Sequence, residues 1–373
     1  MISMAELYSM ASQIEDPVPI GGPFPYGMMD PGDMKPYVSV IVPMRNEEGF
    51  AARCLQALAA QDYPRERFEV IVVDGNSTDG TAKEVREMVL AYGVPDVFKT
   101  NPKETTATGL NLGLQMCGGD IIIRVDGHTR VATNFISESV AKLMESGADA
   151  VGGPIRTRGT GVVGRAIALA MASPFGVGDA SFRLAESLGE DAQDRWVESV
   201  PFGAYPREVF EKHGLFAEDL DGGEDDEFNY RLRDSGGRIL MSPKIRSVYY
   251  SRPTLKALLR QYWNYGQAKA EVLHRHPSRV SARHAVPSAL LLSLTLGPVL
   301  GLFNRKFAWL ALLAGGSYAA ASALFSWRIG KNGNKQEMPY LPLAFGAMHF
   351  GAGAGMLAGL WRIVAGKAKK QSE

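Results

Sequence analysis

Cysteine is nearly missing from this chain: Cys54 and Cys117 are the only two in 373 residues. They form no CxxC pair, so neither a disulfide framework nor a thiolate metal site can be built, and a reducing compartment is the default. Excess charge of either sign is missing too. Lys plus Arg number 40 and Asp plus Glu number 40, which leaves no electrostatic footprint for nucleic acid. The N-terminus lacks the unbroken apolar segment of a secretory signal, because Glu6, Glu15 and Asp16 interrupt it. Pro17, Pro19, Pro23, Pro25, Pro31 and Pro36, interleaved with glycines, predict a flexible arm over 1–36. Asp, Glu, Lys and Arg are absent from 285–304, 307–327 and 338–361. A bilayer-spanning helix needs about 20 such residues, so 284–373 is predicted to be a transmembrane region of about three helices. Glycine and alanine within it allow close helix contact. The basic residues between and after these stretches do not fit the preference for cytoplasmic positive charge with three simple crossings, and one stretch reads as re-entrant or interfacial.

What remains is rich in pattern. Short apolar runs at 38–42, 69–73, 97–99 and 120–125 alternate with helical periodicity at 50–58, 81–91 and 106–116. A helix over 134–146 and a strand around Val151 continue the series. This rhythm predicts an α/β fold, a doubly wound and mostly parallel sheet with right-handed crossovers, over 37–252. The rhythm breaks between 156 and 199, where the apolar run 162–172 reads either as a core helix or as a membrane-grazing or acceptor-cleft segment. The 253–283 region begins PTLKALLRQYWNYGQAKAEVL. Its leucines and aromatics alternate with Lys256, Arg260 and Lys269 at helical spacing, the character of a helix lying in the headgroup plane.

Three acidic stations carry the chemistry. Asp74 ends the strand in VIVVDGNSTDGT, and Asp126-Gly127-His128 closes DIIIRVDGH. Both fall at the carboxyl ends of parallel strands, where open α/β sheets collect ligands. Asp74 suits a base or ribose, whereas Asp79 reads as a cap for the next helix. Asp126 and His128, two apart, are spaced to aim two ligands at one divalent ion, with imidazole favouring Mn²⁺ over Mg²⁺. Such an ion neutralises the diphosphate of a leaving nucleotide. The third station is Glu224-Asp225 in GGEDDEFNYRL. The helix dipole accounts for Asp226 and Glu227, while Asp225 is placed to deprotonate an acceptor hydroxyl. His274 and His276 follow the 253–273 helix and read as incidental. This set suits sugar transfer from a nucleotide-sugar.

The series VSVIVPMRNEE, VVDGNSTDGT, RVDGH and GEDDEFNYRL, over roughly 38–269, resembles the family 2 inverting glycosyltransferases. More narrowly it is similar to their membrane-attached succinoglycan-biosynthesis (ExoA-like) branch. The resemblance implies a GT-A fold, a UDP- or other nucleotide-sugar donor and a divalent metal. It implies donor contacts at Pro43, Arg45, Glu47, Asp74 and Asp126, a metal site at Asp126 and His128, and catalysis by Asp225 with Glu224 beside it. Phe202, Gly203 and Tyr205 in VPFGAYPREVF match its acceptor-side segment. The chain departs from the pattern twice. Histidine replaces the last Asp of DxD, and QYWNY stands where processive synthases carry QxxRW. Gln261 is kept, while Asn264 and Tyr265 replace Arg and Trp, which argues for single-sugar addition, and Gln261 and Tyr265 are expected on the acceptor side with the three residues above. The expected reaction moves one hexose to a lipid-linked, polyprenyl-pyrophosphate saccharide, with the catalytic domain on the cytoplasmic face of an inner membrane. Two rival readings are a polyprenyl-phosphate glycosyltransferase, in which phosphate attacks and needs no base, and a catalytically silent membrane scaffold.

Overall fold

Three buried strands rich in Val and Ile organise the first half of the molecule in the computed structural model, which describes residues 35–178, 180–184, 192–220 and 222–366. The arm expected over 1–36 (apart from residues 35 and 36), and Lys367, Lys369 and Lys370, lie outside the described residues. Clustering of the chain gives two units: Met1–Ile155, Glu190–Glu218 and Arg231–Val248 form one, and Arg156–Gly189, Asp219–Tyr230 and Tyr249–Glu373 the other.

The first unit holds an eight-stranded sheet. In chain order the strands are β1 (Val38–Met44), β2 (Phe68–Asp74), β3 (Val97–Thr100), β4 (Ile121–Arg124), β5 (Thr129–Val131), β6 (Ala150–Gly152), β7 (Ile155–Arg158), β8 (Arg195–Val197), β9 (Ala204–Pro206), β10 (Ile239–Met241) and β11 (Ser247–Tyr250). The sheet order is β3-β2-β1-β4-β9-β6-β10-β8, and β5, β7 and β11 lie outside it. β3, β2, β1 and β4 are parallel. β9 enters antiparallel to both β4 and β6. Strands buried on both faces read as continuous apolar runs rather than alternations, which is why β1 and β2 are visible in the sequence. The β1–β2 register pairs Met44 with Asp74, so these strands end level, with Asp74 on the carboxyl edge.

Helices α1 (Ala51–Ala59), α2 (Thr81–Tyr92), α3 (Thr106–Met116) and α4 (Phe135–Ser146) follow β1, β2, β3 and β5. α1 buries Ala51, Cys54, Leu55 and Leu58, a single stripe at three- and four-residue spacing. α2 and α4 each stop at a glycine in the left-handed conformation, Gly93 and Gly147. β9 was not legible. It is three residues long and bounded by Gly203 and Pro206, so the sequence reads as a turn.

The second unit is helical. It contains α5 (Gly161–Met171) and α6 (Pro174–Val177), and after α7 (Arg207–His213, in the first unit) come α8 (Glu224–Asp234), α9 (Leu255–Arg275), α10 (Ala282–Gly301), α11 (Arg305–Lys331) and α12 (Leu341–Val364). Of α8, the first two turns belong here. α5 buries Ala166, Ile167, Ala170 and Met171, which settles the 162–172 run as a core helix. Among the described residues three helical segments are long and apolar enough to cross a membrane: Ala282–Gly301, Arg305–Lys331 and Met338–Val364. α10 and α11 form an antiparallel hairpin in which Gly301 faces Ala308 and Gly297 faces Ala311. The turn that joins them leaves Leu302 84% and Phe303 85% exposed, and Trp309 of α11 is 69% exposed.

Candidate active site

The carboxyl edge of β1, β2 and β4 is built from interlocked turns. Asp74 is buried, and its carboxylate accepts from the Ser77 backbone N–H at 3.0 Å and from Ser77 Oγ at 2.5 Å. Ser77 Oγ in turn accepts from the Asn46 N–H at 2.9 Å, and Asn46 Oδ1 accepts from the Thr78 N–H at 2.9 Å. The loop after β1 is thereby tied to the loop after β2, with Asn46 and Asn76 both in the left-handed region, which short polar side chains tolerate. Asp79 accepts from the Thr81 N–H in the first turn of α2. Asn101, at the end of β3, binds Thr105 and Thr108 at the start of α3. Arg45 makes an ion pair with Glu104, which also accepts from Asn76 Nδ2 at 3.0 Å. Pro43 lies in β1 opposite Val73.

β4 supplies the second group. Arg124 ends the strand almost fully buried, and its Nη2 lies 2.9 Å from Asp126 Oδ1. Residues two apart on an extended chain point the same way, which is how a buried arginine comes to sit beside this carboxylate. Burial opposes the charge on Asp126, but Arg124, and His128 when its ring is protonated, outweigh it and hold the carboxyl below its usual range. His128 Nδ1 is 2.8 Å from Glu47 Oε1, 81 residues away in sequence. With Nδ1–H donating to that carboxylate, Nε2 carries the lone pair. A carboxylate-oriented imidazole of this kind is the usual support of a metal-ligating histidine. Asp126 and His128 keep 28% and 19% of their side-chain surface, so the pair is reachable. One ionised carboxylate and one oriented imidazole would fit a divalent ion, with its other positions left to a ligand. Among the described residues no cluster of three His, Cys, Asp or Glu side chains forms a complete metal cage.

Gly127 is required by packing. A β-carbon there would lie 2.7 Å from Met44 Cγ and 3.1 Å from Glu47 Cγ. Gly127→Val is therefore expected to push Glu47 off His128 and to cost about 1–3 kcal/mol of stability through overpacking, read as a lowered Tm. Cys54 lies beneath this turn, its Sγ 3.7 Å from the Asp126 carbonyl. Burial, then the charges of Asp126 and Glu47, push its thiol far above the ordinary range.

The acceptor-side residues divide. Phe202 and Tyr205 are 5% and 1% exposed. Tyr205, on β9, pairs with Ile122 and packs edge-on to Phe210 at 5.4 Å, so these two rings support the sheet from within. The Gly203 carbonyl accepts from the Arg124 N–H.

In the second unit, Glu224 is buried and Asp225 half-buried at the start of α8, with Asp225 Oδ1 accepting from the Asp226 N–H at 2.9 Å. Asp226 pairs with Lys269 of α9, and Glu227 lies 3.4 Å from His276. Arg275 binds Asp219. These pairs dock α8 onto α9, a role that neither the helix dipole nor an incidental histidine accounts for. Burial works against the charge on Lys269, and the opposing Asp226, Tyr230 and Asp225 raise its pKa overall. Gln261 Nε2 donates to the hydroxyls of Tyr249 at 2.8 Å and Tyr265 at 2.9 Å, so the retained glutamine and the substituted tyrosine form one network.

A parallel-edged α/β sheet with carboxylates at its rim, followed by apolar helices, is the GT-A plan of a glycosyltransferase. The chain belongs to glycosyl transferase family 2, whose model matches residues 39–214 and whose relatives extend well beyond that span. It is 30% identical over 329 residues to the succinoglycan biosynthesis protein ExoA of Rhizobium meliloti, covering 87% of this chain and 93% of that protein. It is 27% identical over 246 residues to a dolichyl N-acetyl-alpha-D-glucosaminyl phosphate 3-beta-D-2,3-diacetamido-2,3-dideoxy-beta-D-glucuronosyltransferase of Methanococcus voltae, covering 64% and 74% of the two. Among solved structures it resembles the mannosyltransferase PcManGT from Pyrobaculum calidifontis in complex with GDP-Man and Mn²⁺. The TM-score is 0.55 at 20% identity, covering 96% and 94% of the two chains, a likeness of fold.

Proposed function

We propose that the protein transfers a single hexose, with inversion, from a nucleotide-sugar (a UDP-sugar in the first instance) to a lipid-linked saccharide, in the synthesis of an exopolysaccharide or cell-surface glycan. The observation that carries this reading is the Glu47–His128 contact beside Asp126, which presents an oriented imidazole and an ionised carboxylate at the sheet edge. In this reading Asp126 and His128 hold Mn²⁺ or Mg²⁺, which when bound supplies positive charge to the departing nucleoside diphosphate. Asp74 and the turns that it ties, with Pro43, Arg45 and Glu47, receive the nucleoside. Asp225 removes the proton from the acceptor hydroxyl as it attacks the anomeric carbon, and Glu224 supports it. Residues 37–252 form the catalytic domain, 253–283 the region next to the membrane and 284–373 the membrane anchor. The ExoA relative, named for succinoglycan biosynthesis, and the apolar helices support a lipid-linked acceptor at the cytoplasmic face of an inner membrane. A headgroup-bound acceptor gains most from an active site held at the bilayer, because proximity replaces a bimolecular encounter.

A panel of nucleotide-sugars tests the donor. The cognate donor is expected to raise Tm with Mn²⁺ present, and EDTA to remove that shift. A panel without any metal-dependent shift overturns the reading.

A further inference from the structure

Among the described residues three helices qualify by length and composition to cross a bilayer, yet their surroundings differ. Only 11% of the most apolar stretch of α10, and of α11, is buried within the protein, against 39% for the segment containing α12. We propose that α10 and α11 alone cross, and that α12 seats with α9 in the leaflet from which α10 enters, ending on the side where it began. This rests on the reading of the protein as membrane-bound.

The register between α9 and α12 carries the inference. Gly351 meets Leu259 and Tyr262, Gly355 meets Trp263, and Gly359 meets Gln267 and Ala270. Both helices advance in fours in the same direction, so they run parallel, in backbone contact for about three turns. Gly266 returns the contact from α9, against Ala352 and Met356. α9 also carries Lys256, Arg260, Lys269, Glu271 and Arg275. Each such charge costs about 2.5–3.5 kcal/mol at the centre of a bilayer, so α9 does not share the hydrocarbon core. The part of α12 bound to it lies at the same depth.

Before Gly351, α12 has only Leu341 to Phe350, about 15 Å of helix, roughly half of the ~30 Å hydrocarbon thickness. One face of that portion packs against protein, with Leu341, Ala344, Phe345 and Met348 buried, while Leu343 on the other face is 55% exposed. Phe345 packs edge-on to Phe175 at 4.9 Å, and His349 Nε2 is 2.9 Å from the Phe175 carbonyl. Its deepest tie is His349 Nδ1 to the Tyr318 hydroxyl at 3.1 Å, about halfway along α11. Ser288, near the start of α10, donates to the Gly353 carbonyl at 3.1 Å, which sets the middle of α12 at the level where α10 enters.

Charge agrees with two crossings. Arg328, Lys331 and Lys335 then share a side with Arg362 in the last turn of α12, with Arg275 and Arg279 before α10, and with Arg283 in its first turn. Arg305 and Lys306 face the opposite side, leaving the excess of positive charge where cytoplasmic loops carry it.

Single exposed cysteines read the topology, since both native thiols are buried. Phe303→Cys, Gln336→Cys and Ala365→Cys are to be probed in intact cells and inverted vesicles with a membrane-impermeant maleimide. Expected is labelling of residue 303 from outside and of residues 336 and 365 only from inside. Labelling of residue 365 together with residue 303 means three crossings and overturns the proposal while leaving the membrane reading intact. All three cysteines labelled from one side, with release of the protein by carbonate, overturns the membrane reading and the proposal with it.

Discussion

Asp225→Asn is expected to bind donor and metal as the wild type does and to slow sugar transfer by about 10²–10⁴-fold. The amide keeps the shape of the side chain, and its carbonyl can still accept from the Asp226 N–H that now reaches Asp225 Oδ1. It has lost the capacity to take a proton. An acceptor hydroxyl attacks poorly unless that proton leaves as the new bond forms, so the loss falls on kcat rather than on donor affinity. A lipid phosphate is already ionised and needs no such help. Near-normal turnover by the variant would therefore reject the base assignment and point to a phosphate nucleophile, whereas a slow variant with intact donor protection supports a hydroxyl acceptor. Initial rates with lipid extract, beside Tm shifts for the donor, separate the two.

Asp126→Ala is expected to abolish metal-dependent hydrolysis of the donor. The variant removes a metal ligand in the proposed site and also the partner of Arg124, which is almost fully buried. Breaking a fully buried pair costs about 3–5 kcal/mol, and less here because 28% of the Asp126 side chain is exposed. Instability could therefore mimic loss of function. Glu47→Gln, read with metal alone and no donor present, separates the effects: it leaves the Arg124–Asp126 pair in place and alters the orientation and basicity of His128. Loss of the carboxylate that orients a metal-ligating imidazole weakens metal binding about 10–100-fold, measurable by Mn²⁺ titration with electron paramagnetic resonance. Wild-type metal-dependent hydrolysis by a folded Asp126→Ala protein would refute the metal assignment.

Individual chemistry was legible in the chain, and pairing was not. β1, β2 and β4 announce themselves because burial on both faces demands unbroken Val and Ile, and helix 106–116 has the observed ends. β9 is hidden by its length and its flanking Gly203 and Pro206. Asp74, Asp126 and His128 could be picked out at strand ends, but that His128 is held by Glu47 follows from β4 lying beside β1, and no local pattern encodes strand order. Arg124 reads as one charge in an apolar strand until Asp126, two residues on, explains it. The basic and aromatic residues of α9 fit a helix lying on lipid equally well as a helix clasped by others. Only the glycine spacing of α12, matched to α9, distinguishes the two, and that match joins segments about 90 residues apart.

The depth at which Cys54 and Cys117 are placed has a practical meaning. Both sulfurs are interior, Cys54 under the Asp126 turn and Cys117 against Arg207, and burial raises both thiols away from the reactive thiolate form. Peroxide, alkylating reagents and shifts in cellular redox poise therefore meet no accessible sulfhydryl on the folded chain. Purification without reductant should leave its activity untouched.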